Sequence, residues 1–259
     1  MRIVIIGTGN TATVLGRKAL QCGHQVVQVV GRNAAHAQTL GLLLQAPYSD
    51  SFYEITDDAD IYIIAVSDAA VSDIENWLPI QIKGIAVHTA GAVSKSVLKN
   101  AAGSYGVLYP LQSLRSDRHA IPEIPLLIDA NSPGALQSIQ TFAASLSGKV
   151  YCADDDERMK LHLGAVIANN FTNYLYTLTQ DFCAGESLDF SLLLPLLHET
   201  VQRLEQYPAR LMQTGPAIRN DRDTIAKHLS LLKDFPVLSG LYAQLSGSIS
   251  AYYNELQAG

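Results

Sequence analysis

Up to about Ala153, short runs of β-branched residues alternate with segments of helical periodicity. The predicted strands are Arg2–Ile6, Gln25–Val30, Ile61–Val66, Ile85–His88, Gly106–Tyr109, Pro125–Asp129 and Lys149–Cys152. The predicted helices are Asn10–Cys22, Ala34–Leu42, Asp68–Trp77 and Pro133–Leu146. This alternation predicts an α/β fold with a doubly wound, mostly parallel sheet, whose ligands bind at the carboxyl ends of the strands.

The pattern changes at Asp154, which begins a run of four acidic residues. Asp154 and Glu157 have the spacing of a capping box, and an acidic first turn suits a helix N-terminus. One unusually long helix is predicted from there to about Ala184, ending before Gly185. Further helices are predicted at Ser191–Gln206, Asp221–Lys233 and Val237–Glu255. We therefore expect two domains, an α/β domain over residues 1–153 and an all-α domain over residues 154–259.

The first strand runs directly into Gly7-x-Gly9-x-x-Ala12, the fingerprint of a Rossmann dinucleotide-binding turn. Gly7 would form the tight turn, Gly9 would let the backbone approach a pyrophosphate, and Ala12 would let the helix pack on the strand. The pyrophosphate would rest on the N-terminus of the following helix. We expect cofactor contacts from the whole turn: Gly7, Thr8, Gly9, Asn10, Thr11 and Ala12. The alternative is an ordinary strand-turn-helix that has lost its ligand.

The end of the second strand predicts which dinucleotide is bound. An NAD site usually has an Asp or Glu there, whereas this chain has Gly31-Arg32-Asn33. The guanidinium of Arg32 can grip a 2′-phosphate through two hydrogen bonds, so NADP is the expected cofactor. The alternative is that Arg32 is a solvated residue at the start of the next helix.

Composition narrows the class of protein further. Apolar residues make up 48% of the 259 residues, the net charge is −6, and no basic cluster occurs, so nucleic acid is not an expected partner. The three cysteines (Cys22, Cys152 and Cys183) are scattered and fit reduced thiols rather than a disulfide framework or a metal site. No signal-peptide or transmembrane pattern is present, so we expect a cytoplasmic protein without a membrane partner.

The motifs resemble a known superfamily. Gly7-x-Gly9-x-x-Ala12 and Gly31-Arg32 resemble the Rossmann domain of pyrroline-5-carboxylate reductase, 3-hydroxyisobutyrate dehydrogenase and the NADP oxidoreductases that depend on the deazaflavin coenzyme (factor 420). One branch joins such a domain to a helical domain of unknown function. The motifs that resemble this branch cover essentially the whole chain: Ala65-Val-Ser-Asp68, His88-Thr-Ala-Gly91, Tyr109-Pro-Leu-Gln112, and Thr214–Asp221 with Thr224 and His228.

The resemblance implies a homodimer formed through the helical domain, because such domains commonly mediate dimerisation in these families. It also implies use of the deazaflavin coenzyme, although no residue of this sequence supports that coenzyme independently. Two departures matter: Ala90 replaces the serine that usually follows the His-Thr pair, and Val166 or Ile167 occupies the place of the catalytic lysine of the hydroxyisobutyrate-type enzymes. Lysine chemistry is therefore not transferred to this chain.

In the resembling families the nicotinamide ring projects into a cleft between the sheet and the long helix. His162, Asn169 and Asn173 are seven and four residues apart, which predicts one shared helix face. His162 is the candidate proton donor or acceptor, Asn169 would hold a carbonyl or carboxamide, and Asn173 would contact substrate. The alternative is that these are satisfied polar groups in a helix–helix or dimer interface.

Strand-end loops supply the remaining candidates. Val66 and Ser67 would lie along the adenosine and pyrophosphate side of the cofactor, with Asp68 as an alternative helix cap. His88 and Thr89 would lie near the nicotinamide ribose, although His88 could instead be a buried strand-end histidine. The candidate substrate-binding residues here are Tyr109, Gln112 and Arg219, the last as a clamp for a carboxylate or phosphate. No pattern with metal-ligand spacing was found.

Two functions fit these observations. The first is an NADP-dependent oxidoreductase acting on a small polar carbonyl, imine or hydroxy compound, where the nicotinamide supplies the hydride and the protein supplies orientation and a proton. The second is a non-catalytic NADP sensor whose helical domain contacts a partner protein. The missing lysine and the alanine at position 90 are compatible with this function.

Overall fold

The structure is a computed structural model that describes residues 1–118 and 120–258. The chain packs as two compact units, Met1–Val166 and Ile167–Gly259. Among the described residues, no helix combines the length and the apolar character that crossing a bilayer requires.

The first unit is built on an eight-stranded sheet with the strand order β3-β2-β1-β4-β5-β6-β7-β8. Its strands are β1 Arg2–Ile6, β2 Gln25–Val30, β3 Tyr48–Ser49, β4 Ile61–Ile64, β5 Ile82–His88, β6 Ala102–Pro110, β7 Leu126–Ala130 and β8 Val150–Cys152. Neighbouring strands are parallel except β6 and β7, which are antiparallel. The predicted, mostly parallel sheet is thus confirmed. Only the two-residue strand β3 was not predicted, because two residues are too few to carry a periodic pattern.

Helices cover both faces of this sheet, as a doubly wound fold requires. They are α1 Asn10–Gln21, α2 Ala34–Leu43, α3 Asp68–Ser72, α4 Ile74–Trp77, α5 Pro133–Leu146 and the start of the long helix, α6 Asp155–Ala165. Alternate residues of β1 point into different cores: Ile3 lies in the core that contains Phe142 of α5, and Val4 lies in the core that contains Val71 of α3. The fully apolar strands follow from this two-sided burial.

Two of the predicted helices are interrupted in the structure. The segment predicted as one helix over Asp68–Trp77 is two short helices, since Asp73 has φ −102° and ψ 17° and ends α3 while it begins α4. The long helix does start with the predicted capping box, where the Asp154 side chain accepts from the Glu157 N–H at 2.9 Å. It is not α-helical throughout, however, because Val166–Phe171 forms a π-helical stretch before α7 resumes at Thr172–Gly185.

Helices are the only regular secondary structure among the described residues of the second unit, as predicted. After α7 it contains α8 Leu194–Arg203, α9 Arg222–Leu231 and α10 Pro236–Ala258. The helix predicted from Ser191 begins as a 3₁₀ turn and becomes α-helical only at Leu194, because Pro195 is tolerated only in the first turn of a helix. Gly185 is the last residue of α7, and a Cβ there would lie 2.7 Å from the Phe235 ring, so close packing explains this glycine.

Candidate functional site

A cleft of about 770 Å³ opens where β1, β2 and β4 end. The loops after these three strands supply much of its lining, and the rest comes from α2, α3, α4 and a 3₁₀ turn. The lining residues are Gly7, Thr8, Gly9, Asn10, Thr11, Gly31, Arg32, Asn33, His36, Phe52, Ala65, Val66, Ser67, Ala69, Ala70, Asp73 and Trp77. Carboxyl-end clefts of parallel sheets are where α/β proteins bind dinucleotides.

The fingerprint turn has the backbone geometry that a pyrophosphate needs. Gly7 has φ +119°, and a Cβ there would lie 2.2 Å from the Ala65 carbonyl oxygen, so the turn excludes other residues. A Cβ at Gly9 would meet nothing within 4 Å, so this position faces open space in front of α1. Ala12 is fully buried beneath the turn. The amide groups at the start of α1 can therefore receive an anion that approaches Gly9.

One end of the cleft is formed around the start of α2. The Asn33 side chain caps this helix by accepting the N–H of His36 at 3.0 Å, while Arg32 is exposed to the cleft. The rings of Phe52 and Trp77, which also line the cleft, pack with their centroids 4.8 Å apart. Sequence reasoning missed His36, Phe52, Asp73 and Trp77, which belong to no motif and are brought to the cleft by the tertiary fold.

The loop after β4 carries Val66 and Ser67 along the cleft. Ser67 caps α3 through a hydrogen bond from the Ala70 N–H at 3.4 Å, and Asp68 is the first residue within the helix. The alternative that Asp68 is the cap is therefore wrong by one residue. Asn10 also lines the cleft, and its side-chain oxygen accepts hydrogen bonds from the N–H and hydroxyl of Ser116 at 3.1 and 2.7 Å.

A tyrosine–histidine pair lies at the same edge of the sheet. The Tyr109 hydroxyl, near the end of β6, is 2.9 Å from Nδ1 of His162 on α6, and the two rings pack edge to face. Burial raises the pKa of Tyr109 above its ordinary value, and the Asp68 carboxylate adds to this shift. Gly91 lies against both rings, since a Cβ there would be 2.6 Å from His162 Nδ1 and 3.0 Å from Tyr109 Cε2.

A buried arginine anchors the loop that carries Gly91. Arg158 is 1% exposed, and its guanidinium donates to the carbonyl oxygens of Gly91 (3.3 Å) and Val93 (2.5 Å) and to Asp155 (2.7 Å). Asp155 also accepts hydrogen bonds from the Ser94 hydroxyl (2.5 Å) and the backbone N–H that follows it (3.2 Å). Arg158 is one helical turn before His162, so the anchor and the histidine of the pair lie on the same helix.

The structure does not bring His88 and Thr89 to the cleft. His88 is fully buried, and its Nδ1 accepts the Ala90 N–H at 3.2 Å, which fits the alternative of a buried strand-end histidine. Burial lowers the pKa of His88 to about 4, and the nearby charge of Arg158 acts in the same direction. Thr89 is 9% exposed, and its N–H donates to the Ile64 carbonyl. The expected contact of these two residues with the cofactor stays a prediction.

The remaining candidates lie in loops or in the second unit. Gln112 fastens its own loop, since its amide donates to the Glu123 carbonyl at 3.3 Å. Asn169 lies in the π-helical stretch, and both Asn169 and Asn173 are exposed. A π-helical turn holds more residues than an α-helical one, so the seven-residue spacing from His162 does not define a common face. Arg219 is exposed, in the turn before α9.

No group of three or more His, Cys, Asp or Glu side chains arranged to hold a metal ion was found in the described parts of the chain.

Comparison with known proteins agrees with this architecture. Residues 2–84 match the family described as "NADP oxidoreductase coenzyme F420-dependent", and residues 124–249 match a domain of unknown function (DUF2520). The "putative NADP oxidoreductase BF3122" from Bacteroides fragilis is 35% identical, with a TM-score of 0.90 over 96% of this chain and 98% of that one. No curated protein matches the chain in sequence.

More distant structures share the fold. Protein TM1727 from Thermotoga maritima is 19% identical, with a TM-score of 0.78 over 97% of this chain and 99% of that one. An imine reductase from Myxococcus stipitatus in complex with NADP⁺ is 16% identical, with a TM-score of 0.64 over 100% and 95% of the two chains.

The fold and the relatives define the class as a Rossmann-type NADP oxidoreductase. Within this class, the chain belongs to the family in which the NADP oxidoreductase domain is joined to the helical domain of unknown function.

Proposed function

We propose that this protein is an NADP-dependent oxidoreductase that transfers a hydride between the nicotinamide and a small polar carbonyl, imine or hydroxy compound. The observation that carries the proposal is the hydrogen-bonded pair of Tyr109 and His162 at the sheet edge where the cleft opens. A protein that only binds the nucleotide has no need of a half-buried proton donor at this place.

The position of the pair follows from strand direction. Strands β4, β5 and β6 are parallel neighbours, so their carboxyl ends lie at one edge of the sheet. Ser67 follows β4 and lines the cleft, Gly91 follows β5, and Tyr109 is near the end of β6. The charge of Asp68 acts on Tyr109, which supports a location of the pair beside the rim of the cleft.

The pair has the chemistry that a carbonyl reduction requires of the protein. The bound nicotinamide would supply the hydride. The oxygen of the reduced carbonyl then needs a proton, and the Tyr109 hydroxyl, which is protonated at neutral pH as tyrosines ordinarily are, can donate it. His162 Nδ1 is in hydrogen-bond contact and can return a proton to the phenolate. In the oxidative direction Tyr109 would take up the hydroxyl proton of the substrate as it passes its own proton to His162 Nδ1.

The cleft supports NADP as the cofactor. Gly9 leaves room for the pyrophosphate, and Arg32 lies at the end of β2, where the adenosine ribose of a bound dinucleotide would lie. That the protein uses the deazaflavin coenzyme stays a proposal based on the family description alone, since no residue of the cleft supports it.

The protein contains a single tryptophan, Trp77, and this residue lines the cleft. Titration of the purified protein with NADPH and NADH, followed through Trp77 emission, therefore tests cofactor binding directly. We expect tight binding of NADPH, and a marked loss in Arg32→Ala. If neither nucleotide binds, the oxidoreductase proposal is wrong.

A panel of carbonyl, imine and hydroxy compounds then tests catalysis. Tyr109→Phe should reduce turnover by about 10²- to 10⁴-fold, the usual contribution of a general acid, and should leave NADPH binding unchanged. Tyr151→Phe is the matched control, because Tyr151 is an exposed tyrosine of β8. An unaffected rate in Tyr109→Phe would remove the proton-donor role.

The sensor is the second candidate, favoured by Val166 and Ile167 in the place of the relatives' lysine. It predicts NADPH binding without turnover of any compound in the panel, and a conformational or partner-binding response to the nucleotide instead.

We also propose that the protein forms a homodimer through its helical unit. Large apolar side chains of this unit are more than half exposed, including Ile167, Phe171, Leu188, Leu192, Leu196, Val201, Leu211, Leu231 and Val237. Monomeric proteins rarely expose so many apolar groups on one unit, and a second copy of the same surface would cover them.

A further inference from the structure

We propose that Arg158 is a positioning residue for the reaction: its buried guanidinium fixes the loop against which the rings of Tyr109 and His162 pack. This inference rests on the proposed function, because it concerns the same pair of side chains. It gives a role in the reaction to a buried cation that belongs neither to the nucleotide turn nor to the lining of the cleft.

The first support is the set of contacts between Arg158 and the loop after β5. Its Nε donates to the Gly91 carbonyl at 3.3 Å, and its Nη2 donates to the Val93 carbonyl at 2.5 Å. Gly91 is also the residue on which both rings pack, since a Cβ there would collide with His162 and lie in tight contact with Tyr109. A displacement of Gly91 would therefore be transmitted to the two side chains of the pair.

The second support is the placement of Arg158 along its helix. Arg158 and His162 are four residues apart on α6, so their side chains lie on the same side of this helix. One side chain contacts the loop after β5, and the other contacts the end of β6, the parallel neighbour of β5. Arg158 thus fixes the helix against the sheet one turn away from the place where His162 meets Tyr109.

The third support is the energetic cost of this arginine. Arg158 is 1% exposed, its carboxylate partner Asp155 is itself partly exposed, and its Nη1 has no hydrogen-bond partner among the described residues. Because both ions must be desolvated, a buried ion pair seldom stabilises a fold more than apolar side chains of the same volume would. Stability alone therefore does not account for this cation, whereas a rigid loop beside a proton donor does.

The charge of Arg158 also acts on the hydroxyl that would donate the proton. Burial raises the pKa of Tyr109, the Asp68 carboxylate on α3 raises it further, and the Arg158 guanidinium on α6 lowers it. The imidazole of His162 is the group in hydrogen-bond contact with this hydroxyl. Removal of the Arg158 charge should thus raise the pKa of Tyr109, whereas a general loosening of the structure should lower it by admitting water to the ring.

Titration of Tyr109 in the absence of substrate and cofactor separates these two effects. Tyrosine labelled at Cζ for NMR reports ionisation, and the resonance of Tyr109 is the one that Tyr109→Phe lacks. We expect Arg158→Met to move this titration to higher pH. Arg158→Lys keeps the charge and should leave the titration nearly unchanged.

Turnover of a compound found in the substrate panel is the second readout. Both variants should lower kcat by about 10- to 100-fold, because neither side chain can hold two carbonyls as the guanidinium fork does. The KM for NADPH should stay the same, since the described lining of the cleft comes from other loops. Lys160→Met is the matched control, because Lys160 is an exposed cation of the same helix, and it should change neither readout.

Unchanged kcat in both Arg158 variants would overturn the inference. A Tyr109 titration that stays in place or moves to lower pH in a folded Arg158→Met variant would overturn it as well. If Arg158→Met does not fold, as judged by its melting temperature, Arg158→Lys carries the test, and it must lower kcat while the Tyr109 titration stays in place. If the unmodified protein turns over no compound of the panel, the proposed function fails, and the titration alone still shows whether Arg158 acts on the pair.

Discussion

At the scale of single residues, the candidate site depends on glycines placed where a side chain would collide. Gly7 is fixed by its positive φ and by the Ala65 carbonyl, and the sequence motif already identifies it. Gly91 belongs to a resemblance motif, but its physical role emerges only from the fold. It has no side chain because the rings of His162 and Tyr109 occupy that space.

We therefore predict that Gly91→Ala disrupts the pair without disturbing the cleft. The added methyl group would lie 2.6 Å from His162 Nδ1 and 2.9 Å from Cγ, so the imidazole must move away from Tyr109. Turnover should fall by roughly 10- to 100-fold, because small displacements of catalytic groups are costly. NADPH affinity, measured through Trp77 emission, should be unchanged. Gly103→Ala is the control, since a Cβ there meets nothing within 4 Å, and an equal loss in both variants would contradict the prediction.

At the scale of elements, the first turn of α6 both begins a helix and holds the loop after β5 through Asp155. The capping box of Asp154 and Glu157 is a local arrangement, three residues apart. Asp155, between them, reaches across the sheet edge to Ser94 and the loop after β5. Burial opposes ionisation of Asp155, but hydrogen bonds from Ser94 and Arg158 outweigh it and hold its pKa below the ordinary value.

This shift predicts how stability depends on pH. A carboxyl group whose pKa is lowered by folding stabilises the fold above its unfolded pKa, and this contribution is lost as the pH falls through the folded pKa. Asp155→Asn should therefore melt at a lower temperature than the unmodified protein at pH 7, and the difference should shrink below about pH 4. Asp156→Asn is the control, because its exposed pair with Lys160 contributes little. A difference that stays constant with pH would contradict the role of the charge.

At the scale of the whole molecule, the exposed apolar surface of the helical unit indicates an interface with another protein chain. Ile167, Phe171 and Tyr174 are each at least half exposed and recur at spacings of four and three residues around the start of α7. Covering these three large side chains would remove their exposed apolar surface from water.

If a second copy covers this surface, a charge placed on it should separate the copies. We predict that the unmodified protein is a dimer by light scattering and that Phe171→Glu is a folded monomer, because burying an unpaired carboxylate is costly. Thr177→Glu, at an exposed and polar position of α7, should remain a dimer. A monomeric unmodified protein, or a dimeric Phe171→Glu variant, would rule out this face as the interface.

Much of the fold and part of the site could be predicted from sequence, because their causes are local. The Gly7 turn, the strand–helix alternation and the Asp154 cap each depend on residues within a few positions of one another. The division of the long helix by a π-helical stretch was not predicted, because residues 166–171 show the same apolar pattern as their neighbours.

The sequence by itself determined the class of the first unit, the position of its nucleotide turn and the helical character of the second unit. Only the tertiary structure decided that Tyr109 meets His162, that His88 is buried, and that His36 and Trp77 line the cleft. The physical reason is distance along the chain: the backbone pattern is set by neighbouring residues, whereas these contacts join residues far apart in sequence. Their pairing depends on how strands and helices pack, which no local pattern records.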